Sequence, residues 1–339
     1  MTSHQTLRMR LSSADPDLAH IIGALADTAR TIAAEIAAGP VHGSLAAAVG
    51  ANAGGDRQIA LDVSADRAFA RALAGVSVRW YASEEREDVI SLQPDGRYAV
   101  AIDPLDGSSN LAVNLSVGSI FSIYPAGATG AASFLRPGRE QVAAGYFIYG
   151  PATMLLLTVG ESVDLFVLDP ARGTFVLAEA GISIEPAARE FAINTSNYRH
   201  WNAPVRAFVE DCLAGVDGPR GRDYNMRWIA SLVAEAHRIA TRGGVFLYPA
   251  DDRPGYEEGR LRLLYEANPI ALLMERAGGA ASDCYSPILD KLPAGLHERT
   301  PLVFGSCEDV ARAAAYHMLP SAETAPLSGQ RGLFTAAKS

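Results

Sequence analysis

Tyr98-Ala99-Val100-Ala101-Ile102-Asp103-Pro104-Leu105-Asp106-Gly107-Ser108-Ser109-Asn110 is the stretch from which the rest of the chain can be read. The apolar run Ala99 to Ile102 predicts a buried strand. Pro104 and Gly107 then specify a turn that carries two carboxylates three residues apart, followed by Gly-Ser-Ser. In α/β proteins ligands collect where strands end, so this turn is a natural site. Its carboxylates suit a hard cation such as Mg²⁺, and its amides and hydroxyls suit a phosphate. A purely structural Asx-type turn is the alternative that the local sequence leaves open.

Upstream, Asp15-Pro16 predicts the start of a helix that runs to about Ala38 and is stopped by Gly39-Pro40. Residues 40–55 are small and Gly/Ala-rich, the composition of a mobile loop. A helix is expected over 57–73, with Asp62 and Asp66 four residues apart, then a strand over 76–81 that delivers Ser83-Glu84-Glu85. Downstream, strands are expected at 119–124, 142–149, 152–159, 163–168 and 174–177, close enough together for an antiparallel or mixed sheet. The pattern changes near 184–190. Strands (190–194, 244–248, 301–304) then alternate with helices (205–213, 228–241, 268–277). Gly243-Gly244 and Gly278-Gly279 stand where helix C-caps belong, and Ser306 with Asp309 forms a near capping box for a last helix. The layout is α/β or α+β, with sheets covered by helices. The expected parts are 1–186, 187–320 and a disordered polar tail at 321–339.

The chain has 339 residues, 49% of them hydrophobic and 20% charged, which describes a globular protein. A net charge of −9 and a pI near 5.3 leave no electrostatic footprint for nucleic acid or an anionic membrane. Three well-separated cysteines, no apolar segment in the first twenty residues and no run of membrane-spanning length lead to the expectation of a cytoplasmic protein with reduced thiols.

The acidic spots are Asp56 and Asp62, Glu84-Glu85, Asp103 with Asp106, and Glu266. Taken singly, each reads as a surface carboxylate or a helix cap. Gathered together they would need raised pKa values or bound divalent cations, because like charges ~4 Å apart repel by about 4 kcal/mol at an effective dielectric of 20. Oxygen-only donors point to Mg²⁺ or Mn²⁺ rather than zinc. Spacing alone does not bring these residues together.

The stretch Asp103 to Asn110, DPLDGSSN, resembles the signature of the class I fructose-1,6-bisphosphatases, a specialised form of the DPLDG[ST] turn of the lithium-sensitive, Mg²⁺-dependent sugar and inositol phosphatases. Further stretches are similar in the same order. They include Gly55-Asp56-Arg57-Gln58, Leu61-Asp62-Val63, Ser83-Glu84-Glu85, Gly243 to Pro249 and Gly259 to Pro269, and the resemblance spans roughly residues 52–312. It implies a layered αβαβα sandwich and Mg²⁺-dependent removal of the 1-phosphate of D-fructose 1,6-bisphosphate, with Mn²⁺ able to substitute and two or three ions per site. It also implies that Glu84, Asp103, Asp106, Glu266 and the Leu105 carbonyl hold metal. Asp62 and Glu85 would activate water, with Asp56 joining when its loop closes. Gly107, Ser108 and Ser109, with Asp106, would hold the transferred phosphate. The far phosphate would meet Asn194, Tyr198, Tyr248, Arg260 and an Arg227 supplied by a neighbouring subunit of a homotetramer. Ser108 as a nucleophile lacks a neighbouring base in sequence.

The chain departs from that pattern in places. Arg260 stands where many members have Lys, and Trp228 where many have Tyr. The AMP-binding features are altered near residues 38–45, at Arg97-Tyr98 and at Pro125, so weak or absent AMP inhibition is expected. No Cys-rich regulatory insertion is present. Sedoheptulose-1,7-bisphosphatase is the alternative activity, and a sugar-phosphate sensor the non-enzymatic one.

Overall fold

Helix α1 (Pro16–Ala38) starts where Asp15 Oδ1 accepts hydrogen bonds from the backbone N–H of Asp17 and Leu18 at 3.0 and 3.3 Å, with Pro16 in the first turn. A short helical segment, Leu7–Arg10 continued by Leu11–Ser13, precedes α1, and the computed structural model of the chain describes residues 5–39, 48–51 and 57–319. Most of the expected mobile loop and the tail 321–339 lie outside these residues. Within the loop, however, Ala48–Ala51 pairs antiparallel with Arg57–Ile59, so that part is a strand, and helix α2 (Ala60–Leu73) begins three residues later than expected.

The large sheet contains β1 (Val78–Ser83), β2 (Ile90–Ser91), β3 (Tyr98–Asp106), β4 (Val117–Pro125), β5 (Ala143–Tyr149), β6 (Thr153–Val159), β7 (Ser162–Asp169) and β8 (Thr174–Glu179). Its strand order is β8-β7-β6-β5-β4-β3-β1-β2. All pairs are antiparallel except β1 and β3, which run parallel. A smaller sheet contains β9 (Glu190–Ala192), β10 (Asn225–Met226), β11 (Val245–Tyr248), β12 (Ala280–Ser282) and β13 (Leu302–Gly305), in the order β10-β9-β11-β13-β12.

Helices α1 and α2 bury their apolar stripes on one face of the large sheet, against Val100, Phe121 and Phe147 among others. Helices α4 (Leu232–Arg242) and α5 (Asn268–Arg276) lie between the two sheets and share a core with Ile120, Tyr146, Phe246 and Phe304. Helices α3 (Ala203–Leu213) and α6 (Cys307–His317) cover the outer face of the small sheet through Phe208, Val310 and Tyr316. The layers therefore read αβαβα, as the resemblance implied. All three cysteines are free thiols, and no helix among the described residues is long and apolar enough to cross a membrane.

Two further expected elements are corrected. The helix expected from residue 228 begins at Leu232, because Ala230 sits at φ 60° and Ser231 is the N-cap, its Oγ accepting from Ala234 N. Ser306 makes no side-chain cap for α6. Its hydroxyl instead accepts from Gly244 N at 3.1 Å, while Asp309 is taken by Ala188 N and by Arg220.

Gly118 is what lets α4 lie close against β4. A Cβ there would stand 2.3 Å from the Phe147 carbonyl oxygen and 2.7 Å from Val233 Cγ2. Gly118→Ala is expected to cost about 1–3 kcal/mol through strand and helix displacement, measured by urea denaturation. Stability equal to the parent would show that the two elements separate at no cost.

Candidate active site

The chain ends of the parallel pair β1 and β3 deliver four of the acids to one place. The ladder continues one step past β1, with Glu84 N donating to Ile102 O at 3.1 Å. On β3 the register against β4 slips between Asp103 and Asp106, leaving a bulge at Pro104-Leu105 that re-aims both carboxylates. The bulge is held by Leu105 N donating to Asp103 Oδ1 at 3.0 Å and by Ser119 Oγ donating to Pro104 O at 2.7 Å. Gly107 then turns the chain at φ 72° into a short 3₁₀ helix, Ser108–Val113. Asp106 reaches the N-terminus of α4, where Val233 N donates to its Oδ2 at 3.0 Å and Leu232 N adds a second donor. Asn110 Nδ2 ties the same turn to Ala230 O at 2.8 Å. Glu266 comes from a π-helical turn, Leu263–Ala267, that leads into α5, and it accepts from Arg262 N.

Asp103, Asp106 and Glu266 thereby place ligand oxygens within 4.8 Å of one another, with all three residues buried. Burial pushes each carboxyl up. Asp103 and Glu266 stand well above the usual range, raised further by Glu84 and by Asp106, while Asp106 is raised to about 6 against the pull of the two helix amides. Arg262, itself 2% exposed, stands beside the cluster, with its Nε 3.3 Å from Glu84 Oε1. An oxygen-only, charge-crowded and buried donor set fits a hard divalent cation. Leu105 is buried within the bulge between the two aspartates.

Asp62, in the first turn of α2, accepts from Ile59 N at 2.7 Å through Oδ2. Its Oδ1 is buried without a hydrogen bond of normal geometry among the described residues, although the Ser108 hydroxyl is near enough to favour its charge. Burial first, and the negative Glu85 nearby, raise the Asp62 carboxyl to about 7. Glu85 accepts from Gln58 Nε2. Ser108 is half-buried and Ser109 exposed. Asp56 lies outside the described residues.

Asn194 and Tyr248 line one small cleft with Asn197, Trp201 and Asp251. Tyr248 lies within electrostatic reach of both Arg260 and Glu266, which connects this cleft to the carboxylates. The Tyr198 hydroxyl is taken up by Glu210, and Arg260 donates to the Tyr256 hydroxyl. Arg227 is exposed and directed toward Glu190, 3.8 Å away. Trp228 stacks on Phe246 and leans on Tyr248, so it supplies an aromatic wall.

Comparison with known proteins identifies the family. Residues 4–180 match the family described as Fructose-1-6-bisphosphatase, N-terminal domain, and residues 184–318 match its C-terminal domain. The chain belongs to the fructose-1,6-bisphosphatase class 1 family. A Bradyrhizobium relative of that name is 57% identical over 324 residues, covering 96% of this chain and 95% of the relative. One from Paracoccus denitrificans is 57% identical over 321 residues, covering 95% and 96%. The crystal structure of Leishmania major fructose-1,6-bisphosphatase in holo form superposes with a TM-score of 0.88 at 35% identity, covering 94% of this chain and all of that one.

Three supporting groups escaped the reading of the sequence. Arg262 looks like one cation in an ordinary strand, and only burial next to Glu84 reveals its part. The Leu232 and Val233 amides carry no side-chain signal, although Ser231 as an N-cap is a usable hint. Glu235, fully buried, accepts from Ile229 N at 2.6 Å and so shapes the bend ahead of α4.

The raised carboxyls have a consequence for stability. A carboxyl with a raised folded-state pKa remains protonated in the folded chain while the unfolded chain ionises, so stability falls as pH rises from about 4 through the folded value. The Tm gained on adding Mg²⁺ or Mn²⁺ to chelator-treated protein is therefore expected to grow between pH 5 and pH 8. A gain independent of pH in differential scanning calorimetry would contradict the site.

Proposed function

We propose that this chain is a fructose-1,6-bisphosphatase that hydrolyses the 1-phosphate of D-fructose 1,6-bisphosphate to fructose 6-phosphate and phosphate. The observation that carries the chemistry is a carboxyl raised to about 7, Asp62, close to the Ser108 hydroxyl and to Glu85, which in turn acts on Asp103 of the buried oxygen-donor triad. The identity of the sugar rests on the named relatives. In this reading Asp103, Asp106, Glu266 and Glu84, with the Leu105 carbonyl, hold two or three divalent cations, Mg²⁺ with Mn²⁺ as a substitute. When bound, such ions neutralise the carboxylates and the charge that develops on the phosphoryl oxygens.

The chain's own groups do the rest. Asp62, assisted by Glu85, accepts the proton of the attacking water as its oxygen bonds to phosphorus. A folded pKa near neutrality is what a general base at physiological pH requires. The bond from phosphorus to the sugar oxygen breaks, and that oxygen ends as a hydroxyl after taking a proton from solvent. Backbone N–H groups and hydroxyls of Gly107, Ser108 and Ser109 hold the phosphate in place. Asp56 joins Asp62 and Glu85 from its loop. Asn194, Tyr198, Tyr248 and Arg260 read the far phosphate, joined by Arg227 of a neighbouring copy in a homotetramer, which suits its exposed position here. The enzyme works in the cytoplasm, in keeping with its free thiols.

AMP control is weak or absent in this reading. Arg97 is already engaged, with Asp15 Oδ2 at 3.1 Å and Asp17 Oδ2 at 3.0 Å. An anionic nucleotide would have to displace both. The other altered stretch, near 38–45, lies largely outside the described residues.

Phosphate release from fructose 1,6-bisphosphate is expected to require Mg²⁺ or Mn²⁺ and to be abolished by EDTA. Asp62→Asn is expected to lower kcat by about 10²–10⁴-fold and to remove the acid limb of the pH–rate profile. That limb should lie at or below pH 7, since cations nearby lower the carboxyl again. Activity that survives EDTA, or an unchanged limb in Asp62→Asn, sinks the assignment. In the same assay AMP should leave the rate essentially unchanged, and inhibition at low micromolar AMP would refute that point.

A further inference from the structure

Two buried hydroxyls stand among apolar side chains on one face of the large sheet. Pairing of β4 with β5 sets Ser119 opposite Phe147 and Val117 opposite Tyr149. Side-chain alternation then puts these residues on one face, the one that α1 and α2 cover. Ser119 is fully buried and Tyr149 nearly so. Burying a hydroxyl there costs about 1–3 kcal/mol unless it finds a partner, and both do. Ser119 Oγ lies 2.7 Å from Pro104 O and 2.8 Å from the Tyr149 hydroxyl.

Proton counting fixes the direction of these bonds. A serine hydroxyl has one proton and a carbonyl oxygen can only accept, so that proton goes to Pro104 O. Tyr149 must then donate to Ser119, and burial pushes its phenol up, which keeps it protonated. The series continues past Pro104 O. The Pro104 carbonyl and the Leu105 N–H belong to one planar trans peptide unit, in which the two groups point opposite ways. Leu105 N donates to Asp103 Oδ1 at 3.0 Å. By itself that bond would be an ordinary Asx turn. Here the same peptide is also held from its far side, at the bulge where the ladder to β4 is interrupted. Tyr149, Ser119 and the Pro104-Leu105 peptide thus form one line of donors that ends on Asp103.

We propose that Ser119 and Tyr149 are positioning residues for metal binding, which act through the Pro104-Leu105 peptide to hold the Asp103 carboxyl in the orientation that receives a divalent cation. This rests on the proposed metal-dependent reading of the site, in which Asp103 is a ligand. Without the Ser119 hydroxyl the peptide is free to tilt within the bulge, and the Asp103 oxygen loses its donor. Bonds in series polarise one another, so Tyr149 acts on Asp103 by way of Ser119.

The probe is Mn²⁺ alone, added to the chelator-treated full chain, with free Mn²⁺ read from its electron paramagnetic resonance signal. Ser119→Ala is expected to weaken Mn²⁺ binding about tenfold, the usual size for loss of a group that orients a ligand. Tyr149→Phe keeps the ring and removes one neutral hydrogen bond, so a loss of about threefold is expected. The double variant should bind as Ser119→Ala alone does, because the second hydroxyl acts through the first. In turnover, the Mn²⁺ concentration for half-maximal rate should rise by the same factors while KM for fructose 1,6-bisphosphate at saturating Mn²⁺ stays at the parent value. Losses that add in the double variant would mean two separate structural effects and would overturn the proposal, as would a rise in KM alone. Should Ser119→Ala not fold, Tyr149→Phe decides, and parental affinity in it refutes the role. A parent protein that takes up no Mn²⁺ fails at the metal reading. A parent that binds Mn²⁺ with both variants unaltered fails at the positioning role alone.

Discussion

Three carboxylates that repel one another inside the protein are the constraint on which the rest of the structure depends. Asp103, Asp106 and Glu266 share a buried space in which each ionisation penalises the next. The fold supplies one or two backbone donors to each: Leu105 N to Asp103, Val233 N and Leu232 N to Asp106, and Arg262 N to Glu266. Those donors orient the oxygens without cancelling the repulsion, so the carboxyls remain raised and the cluster is a receptor for positive charge. The β3 bulge, the left-handed Gly107 and the π-turn at Leu263–Ala267 are the irregularities that aim these side chains inward.

Helix α4 is where this local chemistry meets the remainder of the fold. Its N-terminal amides hold Asp106, and Gly118 lets it approach closely enough to do so. Glu235, fully buried, receives Ile229 N on one oxygen and Arg238 on the other. Arg238 passes on to Glu190 at 2.6 Å, which also meets Arg242 and faces Arg227. Buried charges in such a chain are tolerable because each is paired and hydrogen-bonded. The helix thus ties the metal-facing turn to the surface on which Arg227 stands, with the middle layer of the sandwich as the mechanical link.

The parts legible in the sequence are those set by short-range physics. Asp15-Pro16 marks a helix start because a side-chain oxygen and a fixed φ act within one turn. The apolar run at 99–102 is a strand, and Gly243 at φ 73° ends a helix. The misreadings have equally local causes. Residues 228–231 carry a helical composition, but burial of Glu235 and the hold of Asn110 on Ala230 O impose a bend that propensity does not foresee. Ser306 has the residue type of a cap, yet its hydroxyl is claimed by Gly244 N, just ahead of the neighbouring strand β11. Ala48–Ala51 is too small and bland to read as a strand until it finds Arg57–Ile59 as its partner.

For the site, the sequence by itself determined the residue types, the DPLDG turn and, through the order of several such stretches, the family. These are matters of composition and near-neighbour spacing. Only the tertiary structure decided that Asp103 and Asp106 stand beside a Glu266 that lies more than a hundred and fifty residues further on, and that Asp62 is buried deeply enough to titrate near 7. A pKa depends on desolvation and on charges brought close through space, and neither quantity is defined along an unfolded chain.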